Sequence, residues 1–149
     1  MEAKKLMSSF QLMGSRVIKF NLSNDFIGLE SVRPDKCDVS YSVKEIEKDD
    51  EVIMGVIQLD VKASIKGKGK AKISCSLSME GGFCAPVEMP EESFITMLEI
   101  NGTASLYSLA RAFIANTTSL ATTSGHIVLP MINTIQLVEA QKQEVSDKQ

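Results

Sequence analysis

Apolar and polar side chains alternate along the first half of the chain, most regularly over residues 52–66 and 69–80. Side chains of a strand point alternately to opposite faces, so this period of two predicts two strands with one buried and one wet face, as in an antiparallel sheet. The first of them is apolar on both faces at 52–56, which predicts cover on both sides there. Gly67 and Gly69 fit a tight hairpin between the two strands.

Two further strands are predicted before this hairpin, over residues 10–22 and 37–47. Their apolar positions again share a face, and they are Phe10, Leu12, Ile18, Phe20 and Leu22 in the first and Val39, Tyr41 and Val43 in the second. Residues 24–36 contain a glycine and a proline and show no period. They are interpreted as a long connection between the two strands.

The second half has the spacing of helices. Residues 91–100 are compatible with a short helix, and Gly102 is predicted to end it at the position after its C-cap. A clean amphipathic stripe follows at i, i+3, i+4, i+7 and i+8, formed by Leu106, Leu109, Ala110, Phe113 and Ile114. The pattern therefore predicts a second, longer helix after the first.

A last helix is predicted to begin after Asn133, whose side chain can cap it, with Gln136 at the capping-box position. The apolar segment 126–130 before it is expected to be extended, and the polar chain from Gln141 onward is expected to fray. The order of four strands followed by three helices predicts an α+β fold, a four-stranded antiparallel sheet with helices packed on one face. The expected organisation is one domain over 1–140 with a polar tail over 141–149.

Composition narrows the function classes. The net charge of −3 gives no global attraction to nucleic acid or anionic lipid, and the 8 methionines suit either an adaptable binding surface or gaps in the core. The first residues lack the apolar run of a signal peptide, and no stretch approaches the ~20 apolar residues that span a membrane. A cytoplasmic protein without membrane insertion is expected.

The residues offer little support for catalysis. Cys37, Cys75 and Cys84 are odd in number and lack CxxC spacing, and His126 is the only histidine, so neither a disulfide framework nor a usual metal site is expected. A Cys–His pair could be formed on paper with Cys75 or Cys84, but Cys75 lies on an apolar strand face, where a thiol is inert. We expect no enzyme and no cofactor.

Five lysines cluster around the predicted hairpin tip, at Lys62, Lys66, Lys68, Lys70 and Lys72. The Gly-Lys-Gly-Lys step there lacks the pattern of a phosphate-binding loop and lies between two strands, so a hairpin tip is the favoured interpretation. No aromatic residues are interleaved with the lysines, which favours a solvated edge over a nucleic-acid interface. The acidic run over 45–51 is interpreted as a wet turn.

Several motifs over residues 81–134 resemble those of the SecB family of protein-export chaperones. They are Gly81-Gly82-Phe83, Asn101-Gly102, Leu106-Tyr107-Ser108-Leu109-Ala110-Arg111 and Val128-Leu129-Pro130-Met131-Ile132-Asn133. Phe10-Gln11-Leu12 also resembles the first strand of that family. The resemblance implies four antiparallel strands with helices on one face and a tetramer built as a dimer of dimers. It implies an ATP-independent holdase that binds unfolded polypeptides in apolar grooves and passes them to the SecA motor.

The resemblance also suggests site residues. Large exposed apolar surface marks binding sites, and the family's long loop, second strand and last helix place the candidate peptide-binding residues at Phe26, Ile27, Leu29, Val39, Tyr41, Val43, Val128, Leu129, Met131 and Ile132. Contact between dimers is implied for Leu106, Tyr107, Ala110 and Ile114. The alternative for each of these residues is a place in the core of the chain.

One feature departs from the family. The family's wet sheet face carries acidic groups that dock to SecA, whereas here it carries Lys62, Lys66, Lys70 and Lys72, with acidic residues confined to 45–51 and Asp60. SecA is therefore only one candidate partner. The leading hypothesis is a holdase that binds nonnative polypeptides and could serve protein export. The alternative is a specific interaction module with one dedicated partner, for example an antitoxin-associated SecB-like chaperone.

Overall fold

The computed structural model describes residues 2, 7–25, 28 and 33–147. Its elements are strands β1 (Gln11–Asn24), β2 (Lys36–Lys48), β3 (Val52–Lys66) and β4 (Lys72–Pro86), then helices α1 (Glu91–Met97), α2 (Thr103–Ala121) and α3 (Thr134–Ser146). A π-helical turn, Leu98–Gly102, joins α1 to α2. This order is the one predicted from the sequence.

The four strands form one antiparallel sheet in the order β1-β4-β3-β2. The hairpin predicted between β3 and β4 is present, with Lys66 opposite Lys72 and Gly69 at φ 65° in its tip. Odd-numbered residues of β3 and β4 are buried beneath the helices, and even-numbered ones face outward. The predicted α+β class, with helices packed on one face of the sheet, is thus confirmed. We call the face without helices the outer face.

β4 extends further than its side-chain alternation indicated. Alternation ended at residue 80, but the strand continues through Gly81 and Gly82 to Pro86. Because glycine has no side chain, the alternation of apolar and polar residues cannot be followed through these two positions. Gly81 lies under α2, where an added Cβ would come within 2.8 Å of a Leu106 methyl carbon. Glycine at this position lets the helix approach the sheet closely.

The predicted helix end at Gly102 is wrong. Its backbone angles, φ −61° and ψ −49°, are those of a continuing right-handed helix. Gly102 is buried, and an added Cβ would lie 3.4 to 3.5 Å from Leu98, Phe83 and Ile57. Close packing against the sheet explains this glycine, and tertiary contact overrides the local end signal.

The continuous helical segment from α1 to α2 buries every fourth residue. The buried positions at this spacing are Phe94, Leu98, Gly102, Leu106, Ala110, Ile114 and Thr118, and Thr103 and Tyr107 are buried beside them. In a regular α-helix of 3.6 residues per turn, a spacing of four drifts by about 40° at each step. The π-turn is wider and removes part of that drift over the six steps.

The Asn133 side chain caps α3, as predicted. Its Oδ1 accepts hydrogen bonds from the backbone N–H of Ile135 at 3.1 Å and of Gln136 at 3.2 Å. Two of the four N–H groups that a helix start leaves without partners are thus satisfied.

Replacing Asn133 with alanine is expected to lower the free energy of unfolding by about 1 kcal/mol, because both donors lose their acceptor. Asn133→Asp should keep most of the stability, since a carboxylate accepts the same bonds. Urea denaturation of the three proteins measures the difference. If both variants lost the same free energy of unfolding, hydrogen-bond acceptance by the side chain at 133 would not be what stabilises the helix start.

α3 also extends further than expected. Fraying was predicted from Gln141, yet the helix continues to Ser146, and Gln141 and Lys142 both make hydrogen bonds to other elements. These contacts cannot be predicted from composition, because a polar side chain can either bond to another element or face water. No helix in the described part of the chain has the length and apolar character needed to cross a membrane.

Candidate functional site

Strand β2 forms one edge of the sheet, and a groove runs along it. The groove has a volume of about 270 Å³ and lies between β2 and α3, with Tyr41, Ser42, Val43, Glu99, Gln141, Lys142 and Val145 as its lining. We call it the edge groove. β2 pairs with β3 on one side only, so its other side is an unpaired strand edge of the kind that can accept another strand.

The side chain of Gln141 binds this edge as a neighbouring strand would. The Tyr41 N–H donates to Gln141 Oε1 at 3.2 Å, and Gln141 Nε2 donates to the Tyr41 carbonyl at 2.7 Å. The backbone groups of Tyr41 therefore point away from β3. Because bonding alternates along an antiparallel ladder, those of Val39 and Val43 point the same way.

A polar corner closes the groove beside Tyr41. The Tyr41 hydroxyl donates to Glu99 Oε1 at 3.4 Å, and Lys142 Nζ donates to Glu99 Oε2 at 2.6 Å. Burial, reinforced by the Glu99 charge, raises the pKa of Tyr41 to about 12. The hydroxyl thus stays protonated at neutral pH and remains a donor. Glu99 lies in the π-turn, so this turn positions the corner.

The groove also has apolar lining. Val43 on β2 is half-buried, and Val145 on the opposite wall is 59% exposed. Outside the groove lining, Val39 is half-buried further along β2, Met131 before α3 is 79% exposed, and Ile135 in α3 is 52% exposed. Apolar side chains open to solvent beside unpaired backbone groups can contact an extended polypeptide.

The predicted peptide-binding residues have different placements. Val39, Tyr41 and Val43 share one face of β2, and Val128 and Ile132 are half-buried in the segment before α3. Tyr41 is buried, at 7% exposure, and its backbone N–H and C=O are bonded to Gln141. Phe26, Ile27 and Leu29 lie outside the described residues.

Leu129, also predicted to bind peptide, belongs to the core at 1% exposure. Its carbonyl accepts a hydrogen bond from Arg111 Nε at 3.1 Å, and the neighbouring Pro130 carbonyl accepts one from the Tyr107 hydroxyl at 2.6 Å. These two bonds fix the segment before α3 against α2. Leu129 therefore points inward, whereas Pro130 and Met131 are exposed.

The four residues expected between dimers, Leu106, Tyr107, Ala110 and Ile114, are buried within the chain. Tyr107 is 4% exposed and the other three are 0% exposed. They face the sheet, so the core role is the one that this structure gives them. Other residues of α2 remain accessible, including Leu109 at 38% and Leu120 at 89% exposure.

The thiols lie in surroundings that suppress reactivity. Burial raises the pKa of Cys75 to about 11, and burial is also the main cause of the raised pKa of Cys37. Both therefore stay as thiols at neutral pH and are poor nucleophiles. Cys75 faces the helices while Cys84 faces outward on the same strand. Within the described ranges, no group of three or more His, Cys, Asp or Glu side chains could hold a metal ion.

A second apolar hollow on the outer face was not predicted as a site. It has a volume of about 250 Å³ and combines Met13, Met54, Val56 and Gly82 with Glu45 and Glu47. The sequence did indicate an apolar second face at 52–56. The residues of that face, Val52, Met54 and Val56, are half-buried, so nothing in the described chain covers them fully. Met13, 60% exposed on β1, carried no sequence signal, because strand order alone brings β1 to this position.

Comparisons with known proteins were made by sequence and by structure. No protein-family model matches the chain, and no curated protein matches it. The structure is similar to that of the Mycobacterium tuberculosis SecB-like chaperone Rv1957 in complex with a ChAD peptide from the HigA1 antitoxin. That match has a TM-score of 0.52 and 11% identity and covers 83% of this chain and 90% of the other.

A Streptococcus agalactiae protein of unknown function also matches, with a TM-score of 0.46 and 9% identity over 82% of this chain and 97% of the other. At 11% identity, the similarity to the mycobacterial chaperone concerns the fold. The chain therefore has a SecB-like fold, and the resemblance inferred from residues 81–134 is confirmed at that level.

Proposed function

We propose that this protein is an ATP-independent holdase that binds nonnative polypeptide segments in the edge groove. The observation that carries the proposal is the unpaired edge of β2, where the Gln141 amide occupies the hydrogen bonds of a neighbouring strand. A segment in extended conformation offers the same N–H and C=O groups and can take its place.

The chemistry of the groove suits clients of varied sequence. Main-chain hydrogen bonds to β2 are common to every extended polypeptide except at proline. Alternate side chains of the added strand would then contact Val39 and Val43 or the exposed apolar residues Met131 and Ile135. Backbone bonds supply affinity, and apolar contacts favour segments that a folded protein would bury.

The comparison with the mycobacterial chaperone supports polypeptide binding by this fold, since that protein is in complex with an antitoxin peptide. The same comparison favours a second candidate function. A dedicated partner could present one peptide to the edge groove, which would make the protein a specific interaction module. A general holdase would bind many different clients, whereas a specific interaction module would bind one, so measuring the range of clients distinguishes the two functions.

We also propose assembly into a dimer of dimers in the cytoplasm. The buried residues of α2 leave Leu109 and Leu120 as its accessible apolar side chains, and a second chain could cover them. Delivery to the SecA motor is a less favoured extension, because the hairpin end of the outer face carries lysines where that family has acidic groups.

Stoichiometric amounts of the purified protein are expected to suppress both refolding and light scattering of a denatured, slow-folding client without ATP. The reason is that each captured segment is withheld from folding and from aggregation. Refolding yield and scattering are followed at increasing ratios of protein to client. A client unaffected at every ratio would rule out a general holdase and leave the single-partner module.

The double variant Val39→Thr/Val43→Thr should need about tenfold more protein for the same suppression, since each change replaces a methyl group on the unpaired edge strand β2 with a hydroxyl, at about 0.8 kcal/mol. A matched control is Val17→Thr/Ile18→Thr on β1, the opposite edge of the sheet. Equal losses in the two double variants would place client binding elsewhere.

A further inference from the structure

The outer face of the sheet carries a basic hollow at its hairpin end, away from the edge groove. It has a volume of about 440 Å³, which is within the size range of ligand sites. Its polar lining combines lysines with hydroxyl and amide side chains and one carboxylate, namely Lys36, Lys62, Lys72, Ser23, Ser64, Ser74, Ser76, Asn21 and Asp38. We call it the basic hollow.

Strand register places these groups together on one face. Ser64 of β3 lies opposite Lys36 on β2 and Ser74 on β4. One step along, Lys62 lies opposite Asp38 on β2 and Ser76 on β4. At the end of the hairpin, Lys66 and Lys72 lie directly opposite each other. Like charges held opposite one another repel, and an anion bound between them would relieve that repulsion.

The carboxylates nearby are largely engaged elsewhere. Asp60 accepts hydrogen bonds from the Gln58 amide and the Ser78 hydroxyl. Asp35 and Asp25 accept from the backbone N–H groups at the two ends of the hairpin. Of the described carboxylates, Asp38 alone pairs with a lysine of the hollow, Lys36, at 3.3 Å.

Among the residues that the structure describes, none forms an ion pair with Lys62, Lys66 or Lys72. Two of these ammonium groups, Lys62 and Lys72, line the concave surface, whose hydroxyl groups can donate hydrogen bonds, and Lys66 lies opposite Lys72. An oxyanion in the hollow would receive both charge and donors.

We propose that the basic hollow binds a short acidic segment of a partner polypeptide. Carboxylates spaced along an extended chain would contact the lysines, while Ser64, Ser74 and Ser76 donate hydrogen bonds to them. This site is distinct from the edge groove and does not depend on holdase activity. It would add a docking surface on the opposite face of the sheet.

Two features favour a short acidic peptide over nucleic acid. Among the described residues, no aromatic ring on which a base could stack lines the basic hollow. The other end of the outer face is acidic, with Glu45 and Glu47 at its apolar hollow and Glu80 paired with Arg16 at 2.7 Å. Glu80 faces outward on β4, so the expectation that the acidic residues of this face are confined to 45–51 and Asp60 is wrong. A long polyanion would meet repulsion there, whereas a few carboxylates fit at the basic end.

The test is fluorescence anisotropy of a labelled 12-residue peptide of alternating glutamate and serine, roughly matched to the side-chain spacing of a strand. Its counterpart has glutamine at every glutamate position. The glutamate peptide should bind the intact protein and the glutamine peptide should not. Binding should weaken with added salt, since surface charge contacts are screened.

Lys62→Gln/Lys72→Gln should weaken binding of the glutamate peptide about five- to tenfold, as expected when two surface charge contacts are lost. The charge-matched control is Lys44→Gln/Lys48→Gln at the other end of β2, which should bind as the parent does. Circular dichroism melts confirm that both variants fold.

Three outcomes would overturn the proposal. Equal weakening in the two double variants would mean attraction to net charge alone. Equal binding of the glutamate and glutamine peptides would mean that carboxylates are not recognised. Tighter binding of a single-stranded oligonucleotide of the same charge, or displacement of the peptide by tripolyphosphate at lower concentration, would assign the hollow to phosphate ligands instead.

Discussion

Replacing Gly81 with valine is expected to lower the free energy of unfolding by about 3 kcal/mol, at the upper end of overpacking costs. An added Cβ alone would lie 2.8 Å from Leu106 Cδ2 and 3.0 Å from the Phe83 ring. Both neighbours are buried in the core, at 0% and 1% exposure, so neither can move into solvent. The valine methyl groups would force α2 away from β4.

The adjacent Gly82 provides the matched control. It lies on the same strand but faces outward, and an added Cβ would meet nothing within 4 Å. Gly82→Val should leave stability unchanged or raise it by up to about 1 kcal/mol, because valine suits a strand better than glycine does. Urea denaturation measures both variants. Similar losses at the two positions would mean that strand flexibility, rather than helix contact, selects glycine here.

Replacing Thr118 with valine is expected to cost about 2 kcal/mol. The Thr118 hydroxyl is buried, donates to the Ile114 carbonyl at 2.7 Å and accepts from the Ile127 N–H at 2.8 Å. Valine keeps the shape but leaves the buried Ile127 N–H without an acceptor, and an orphaned buried donor costs about 1–3 kcal/mol. The bond also holds the segment after α2 against the helix.

Thr103 offers the opposite case at the start of the same helix. Within the described part of the chain, its hydroxyl is the one buried side-chain polar atom that has no hydrogen-bond partner. Thr103→Val removes an unsatisfied group and should stabilise the protein by about 1 kcal/mol. Thermal and urea unfolding of both variants measure the sign of each change in the free energy of unfolding. Destabilisation at Thr103 equal to that at Thr118 would contradict the hydrogen-bond explanation.

Much of the sheet could be predicted because period-two alternation reports directly which side of a strand is buried. The predicted strand β4 ended before Gly81, because a glycine has no side chain to show which face of the strand is buried. The prediction failed at Gly102, where a local rule for helix ends competes with contact to Phe83 and Ile57. Both errors concern glycines whose purpose is close approach between layers, which exists only once the layers are assembled.

The candidate site was harder to predict for a related reason. The stripe through Leu106 and Ile114 shows that α2 has an apolar face, but not whether that face meets its own sheet or a second chain. Val39 and Val43 were identified because the family resemblance pointed to the second strand. Gln141 was assigned to a fraying tail, since its contacts with Tyr41 join residues 100 positions apart.

The π-turn between α1 and α2 gives the helical segment one place where its length can change. Loops usually absorb insertions and deletions, but this turn lies inside a helical segment whose two ends both rest on the sheet. The turn is wider than a regular α-turn and takes up about one extra residue. Loss of one residue there would return the helix to regular geometry and leave Phe94 facing the sheet. Loss of a residue elsewhere in the segment would instead rotate everything before it by about 100° about the helix axis. Sequence length can therefore vary at this turn while the apolar pattern of α1 is kept.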